Sequence, residues 1–261
     1  MATLQEFAEF SDFRGSIDLL AEVAMKESWG PENTILKFYV NAMFARAAKT
    51  GLIATTDTIA IFNVGLCSEP IDVDPVAHEL FALFTKNRDE TPRRPWHFQK
   101  WQYERNAIRL FGNKLPKRPS FCEKPCDMCY DNTNFLDLSP DHIPTGLYNV
   151  LYGIEKDQHD ADTVKIDLAL KNVQHIAHNN QRYAVPMFYT RRDQIQFLLP
   201  LMYEGARSLL VVARSRPPTD DGTTTGSYVL VSVVSVLEGY KAARLLGSIE
   251  SSWLQALLPT A

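Results

Sequence analysis

Four apolar runs fill the last third of the chain: Tyr183–Tyr189 (YAVPMFY), Ile195–Met202 (IQFLLPLM), Ser208–Ala213 (SLLVVA) and Tyr228–Val236 (YVLVSVVSV). The last leads directly into Leu237–Leu246 (LEGYKAARLL). Runs of this length, rich in Val, Leu, Tyr and Phe and bounded by turn residues, read as buried strands. The connection Thr190–Asp193 (TRRD) is hairpin-length, so the first two pair antiparallel. Upstream, Ser16–Ser28 has a helical apolar pattern with Ser16 as N-cap. A second helix follows Gly30-Pro31: Leu36, Val40, Met43, Phe44 and Ala47 share one face, and Gly51 sits where a C-cap belongs. Thr58–Val64 reads as a strand, and Leu80–Thr85 fits either a strand or a helix end. Thr145–Glu155 and Thr163–His178 read as helices, the latter with Ile166, Leu170, Val173 and Ala177 on one face. The expectation is one α+β domain over residues 1–261. It has N-terminal helices, a mostly antiparallel sheet and a C-terminal strand meander closed by a helix.

Composition sets the class. The chain is 261 residues long, 45% apolar and 22% charged, with a net charge of -4. No apolar run reaches the roughly eighteen residues that span a bilayer, and the acidic start MATLQEFAEFSDF lacks the layout of a secretion signal. Four cysteines in a chain this long point to a reducing compartment, hence a cytoplasmic protein with no membrane partner. No internal repeat is visible, and Arg216–Gly226 (RPPTDDGTTTG) reads as a surface loop between two strands.

Charge is unevenly spread. Arg93–Phe121 holds eight Lys or Arg and one Glu, so the remainder carries about -11. Trp96, Phe98, Trp101, Tyr103, Phe111 and Phe121 are interleaved with Arg93, Arg94, Lys100, Arg105, Lys117 and Arg118. Cations for phosphates and planar rings for bases are the ingredients of an RNA surface rather than a DNA reader. Alternation as in WHFQKWQY is equally the pattern of a half-buried strand, which would turn the rings into core.

Cys122, Cys126 and Cys129 stand in CEKPCDMC, the C-x3-C-x2-C spacing of radical S-adenosylmethionine enzymes. Those enzymes place the motif ahead of most of a βα barrel. Here only 132 residues follow, and they read as helices and a meander. A zinc site with His142 would need a fourth ligand thirteen residues away. The favoured reading is a loop with free thiols and no cofactor. His175 and His178, i and i+3 on a helix, fit a metal pair or an exposed helix face equally by spacing.

Several pieces, in order, resemble the uncharacterised family catalogued as domain of unknown function 3825. They are IFNVGL (Ile61–Leu66), LFALFTKN (Leu80–Asn87), PWHF (Pro95–Phe98), RPSF (Arg118–Phe121), PCDMCYD (Pro125–Asp131) and DHI (Asp141–Ile143). AVPMFY (Ala184–Tyr189), IQFLLPL (Ile195–Leu201), YKAARLL (Tyr240–Leu246) and SSWL (Ser251–Leu254) complete them. Pro125, Asp127, Tyr130 and Asp131 belong to the family pattern; the cysteines do not. Bacterial members are often attached to RNA-binding modules, which implies work on or near RNA. A stand-alone chain of this kind also resembles the fungal arginine-containing cyclodipeptide synthases. That resemblance implies arginyl-tRNA and a second aminoacyl-tRNA as partners, with a diketopiperazine as product.

Such chemistry needs neither metal nor ATP, because the ester to tRNA is already activated. It needs a cationic tRNA surface, carboxylates for a guanidinium, and a base for the incoming ammonium. The basic segment can supply the first, and Asp127 and Asp131 the second. His142 beside Asp141 is the best base by residue type. Tyr189, Asn63 and Gln196 can donate to a carbonyl oxygen, and Cys126 is the nucleophile if an acyl-enzyme forms. Each residue also has an ordinary role open to it: Asp127 and Asp131 as loop caps, His142 as a polar residue ahead of a helix, Tyr189 as core. Two other functions fit the same residues. One is an RNA-processing hydrolase or nuclease using Asp127, Asp131, Asp141 and His142 with a divalent metal. The other is a non-catalytic RNA-binding module built on the basic segment alone.

Overall fold

The computed structural model describes residues 3–70, 75–87, 94–137, 161–201, 209–216 and 226–248. They form two compact units, 1–120 and 121–259, each built on its own five-stranded, mostly antiparallel sheet. Among the described residues no helix is long and apolar enough to cross a membrane.

The first unit contains α1 (Leu4–Phe7), β1 (Ala8–Glu9), α2 (Phe13–Val23), α3 (Thr34–Thr50), β2 (Ile53–Thr55), β3 (Ile59–Cys67), β4 (Glu79–Lys86), β5 (Trp96–Tyr103) and α4 (Glu104–Phe111). Strand order is β1-β5-β4-β3-β2, antiparallel throughout except for β1, which runs parallel to β5. Helix α2 starts three residues before the expected position because Asp12, not Ser16, caps it, accepting from Gly15 N at 2.9 Å. It also stops at Val23, short of the expected Ser28. There the chain joins the end of β3 instead, through the Ala24–Ser68 bridge and Met25 N donating to Cys67 O at 3.0 Å. Helix α3 buries Leu36, Val40, Met43, Phe44 and Ala47 as expected, and Gly51 closes it at φ 69°. The ambiguous run at Leu80–Thr85 is a strand. It lies between β3 and β5 and buries five residues in succession, which removes the alternation that would have marked it.

The second unit contains β6 (Phe135–Asp137), α5 (Ala161–Asn179), β7 (Val185–Tyr189), β8 (Gln194–Pro200), β9 (Leu209–Arg216), β10 (Ser227–Ser235) and α6 (Val236–Arg244). Strand order is β6-β10-β9-β8-β7, with only β6 and β10 parallel. These are the four expected apolar runs, with the TRRD hairpin between β7 and β8. One sheet face packs Phe197, Leu199, Ala213, Tyr228 and Leu230 against Leu170, Val173 and Ala177 of α5. Ser235 caps α6, accepting from Glu238 N. The expected helix over Thr145–Glu155 lies outside the described residues, as do 217–225 of the β9–β10 loop.

The two units repeat one topology that no sequence periodicity reveals. In each, a very short strand is followed by helix, α2 and α3 in the first unit and α5 among the described residues of the second, and then by a four-stranded meander. The short strand pairs parallel with the last meander strand, which runs without a break into a closing helix.

Candidate functional site

In the second unit, β7 and β8 place three polar side chains on one sheet face. Tyr189 stands directly opposite Gln194, and Gln196 lies opposite Met187. Register thus brings Tyr189, Gln194 and Gln196 within about 5–8 Å of one another at Cβ. Gln196 is only 3% exposed, yet its side chain makes no hydrogen bond among the described residues. The Nε2 of Gln194 is buried with no partner, and Tyr189 is half-buried and likewise makes no side-chain hydrogen bond. A buried amide N–H left unpaired costs about 1–3 kcal/mol, so a fold that keeps Gln194 Nε2 in this state gives up stability at this face. The adjoining turn carries Arg191 and Arg192, both exposed, and Asp193 at φ 54°.

The cysteine loop of the same unit has a different character. Asp131 is engaged by its own turn. Its carboxylate accepts from Thr133 Oγ1 at 2.6 Å, Thr133 N at 3.0 Å and Asn134 Nδ2 at 3.1 Å. The Thr133 hydroxyl, then the Thr133 N–H, hold its carboxyl below the usual carboxylate range. A depressed carboxyl supports folding above its unfolded pKa of about 3.9 and loses that support as pH falls through the folded value. Asp131→Ala should therefore lower Tm by about 2–4 °C at pH 7, for a loss of about 1 kcal/mol. The difference should begin to shrink below about pH 4 and keep shrinking as pH falls through the folded value; an equal deficit at all pH values would show that the carboxylate is not what holds the turn.

Behind that turn Tyr130 stacks on Tyr228 with centroids 4.3 Å apart, and Asp131 N donates to Tyr228 Oη at 2.8 Å. Burial pushes both phenols up, Tyr130 beyond the working range. Neutral phenols are thus favoured by the fold, and this contribution fades as pH rises above about 10. An ultraviolet titration should show Tyr130→Phe and Tyr228→Phe each removing absorbance change from the late, high-pH part of the folded protein's curve.

Asp127 and Cys126 sit in the 3-10 turn Pro125–Met128, both exposed, with the Cys126 thiol 3.9 Å from Asp127 Oδ1. Asp127 is thus the carboxylate of this loop left open to solvent. All four cysteines are free thiols, and among the described residues no three His, Cys, Asp or Glu side chains converge to hold a metal ion. His175 and His178 are exposed on α5, where His178 O accepts from Asn132 Nδ2 at 2.8 Å. Asp141 and His142 lie outside the described residues.

In the first unit Asn63 is fully buried on β3 and both ends of its amide are engaged. Its Nδ2 donates to Glu79 Oε2 at 2.9 Å, and its Oδ1 accepts from Gly65 N at 2.8 Å. Gly65 adopts φ 78°, at the register break between Asn63 and Cys67, and Tyr39 Oη donates to its carbonyl at 2.9 Å. Arg118 Nε lies 3.2 Å from where a Gly65 Cβ would stand, so the bulge gathers Asn63 and Arg118. Burial pushes the adjacent Cys67 thiol up, and Glu79 adds to this while Arg118 opposes it. Asn63 thus clamps β3 to Glu79 and to the Gly65 bulge through both ends of its amide.

The basic segment sorts its two residue types. Phe98 stacks on Phe10 at 4.6 Å and is 9% exposed. Trp96 stacks on Phe7, Trp101 donates its indole N–H to Ser16 O, and Phe111 packs on Ile61 and Phe81. Phe121, in the second unit, is buried against Phe188. Tyr103 is paired with a cation, Arg105, at 5.8 Å. Arg94, Lys100, Arg105, Lys117 and Arg118 are exposed; Arg93 is outside the described residues. The rings that sequence alone left open between core and base stacking are largely core.

A family model described as domain of unknown function (DUF3825) matches residues 20–253. The chain belongs to this family. The match takes in strands β2–β10, so the β7–β8 hairpin and the cysteine loop lie within the family domain, while β1 precedes it. No curated protein and no solved structure matches the chain. Residue type and the resemblance single out Tyr189 and Gln196 but miss Gln194, whose only signal is burial without a partner. They also miss Arg244, a cation 7% exposed on α6.

Proposed function

We infer that the chain is a tRNA-dependent cyclodipeptide synthase of the cytoplasm that takes arginyl-tRNA and a second aminoacyl-tRNA. The observation that carries this reading is the sorting of the basic segment, cations outward and rings inward. Such a surface cannot stack splayed bases. It suits a structured RNA held by its phosphates, as a folded tRNA is. The amine of one aminoacyl group attacks the ester carbonyl of the other. The C–N bond forms, the C–O bond to ribose breaks, and the ribose oxygen takes up the proton the amine loses. A second attack of the same kind closes the ring. Asp127, exposed beside Cys126, supplies a carboxylate for the guanidinium, and His142 with Asp141 acts as the base.

The test is expression in a bacterial host followed by mass spectrometry of the medium for arginine-containing diketopiperazines. The expected result is a new species that disappears with Asp127→Ala. Its absence from a soluble, folded protein overturns the reading.

A further inference from the structure

Three side chains that share a sheet face and lack partners call for an acceptor from outside. We propose that Tyr189, Gln194 and Gln196 form a donor site for the carbonyl oxygen of an acyl ester carried on a nucleotide end. This rests on the aminoacyl-tRNA reading and assigns the ester to this hairpin. The two carboxamides and the phenol together carry five N–H or O–H hydrogens, and the Nε2 of Gln194 is buried without a partner beside the buried Gln196. Gln194 and Gln196 are i and i+2 on β8, so both amides face the same way, and Tyr189 closes the set from β7. Donors already aimed and desolvated are what charge development on a carbonyl oxygen requires, since nothing has to reorganise when the oxygen becomes negative. Arg191 and Arg192 at the adjoining turn are exposed and suit the phosphates to which such an ester is attached. An apolar surface at Gln194 and Gln196 would be more stable, so their retention marks use.

The experiment exploits that last point. In the full-length protein, Gln194→Met and Gln196→Met remove the amides at nearly constant volume. Each should raise Tm by about 2–4 °C while lowering the rate of product formation about a hundredfold. Independently of product, the side-chain amides of glutamine-labelled protein are followed by 15N–1H NMR during titration with arginine methyl ester. Two amide pairs should shift, should be absent in the respective variants, and should stay still with agmatine, which has the guanidinium and no carbonyl. Static amides, equal response to agmatine, or variants that lose stability overturn the donor site. Shifts with the ester in a protein that makes no diketopiperazine sustain the donor site and overturn the synthase reading instead.

Discussion

Gly65→Ala should lower the stability of the first unit by about 3–6 kcal/mol. Three effects combine. A side chain at φ 78° carries a backbone cost of about 1–2 kcal/mol. The new Cβ would overlap Met43 Cε and stand 2.8 Å from Tyr39 Oη, and overpacking of this kind costs about 1–3 kcal/mol. Pushing Tyr39 aside also breaks its hydrogen bond to Gly65 O, worth about 1 kcal/mol. In a thermal scan the transition of this unit should fall by roughly 10–15 °C. Adding Met43→Ala should return part of the loss in a double-mutant cycle, because the worst contact is with that methyl group. A Gly65→Ala protein that melts within 1–2 °C of the parent, about the effect of an ordinary surface change, would show that the bulge does not have this conformation.

The second large effect concerns RNA. Replacing Arg94, Lys100, Arg105 and Lys117 by Ala removes four exposed cations. If each meets a phosphate, tRNA affinity near physiological salt should fall about a thousandfold, and the slope of log K against log salt should become shallower by about 3. Leaving Arg118 in place matters, because that residue packs at the Gly65 bulge and its loss would confound binding with folding. Filter binding of a deacylated tRNA across a salt series is sufficient. An unchanged slope would mean that the segment faces no phosphates.

What sequence could and could not disclose follows from how local each feature is. Strands β7 to β10 are legible because each is an apolar run closed by turn residues, and α3 because its stripe and its Gly51 cap lie within one segment. The start of α2 is not, since Asp12 and Ser16 are both good caps and only packing chooses between them. Strands β1 and β6 have two and three residues and exist only through parallel pairing with partners some ninety residues away. The rings of the basic segment could be placed by alternation but not assigned to core or surface, because a half-buried strand and a stacking platform share that pattern. Residue type and the resemblance mark Tyr189 and Gln196. That Gln194 joins them, and that none of the three has a partner, depends on register and burial, which composition does not carry.

The repeated topology also has a consequence for how the chain reaches its native state. Every strand of the first sheet, including the parallel pair β1–β5, is drawn from residues preceding Phe121, and every strand of the second from residues following it. No hydrogen-bonded ladder of the first sheet awaits a segment still to be made. On the ribosome, where chains grow at roughly 5–20 residues per second, the first sheet's last residue is made roughly 7–30 seconds before residue 261. Its three inner strands β5, β4 and β3 are then paired on both sides while the second half emerges, so β7 to β10 meet no unpaired central strand of the first sheet. Two short folding problems in series replace one long one.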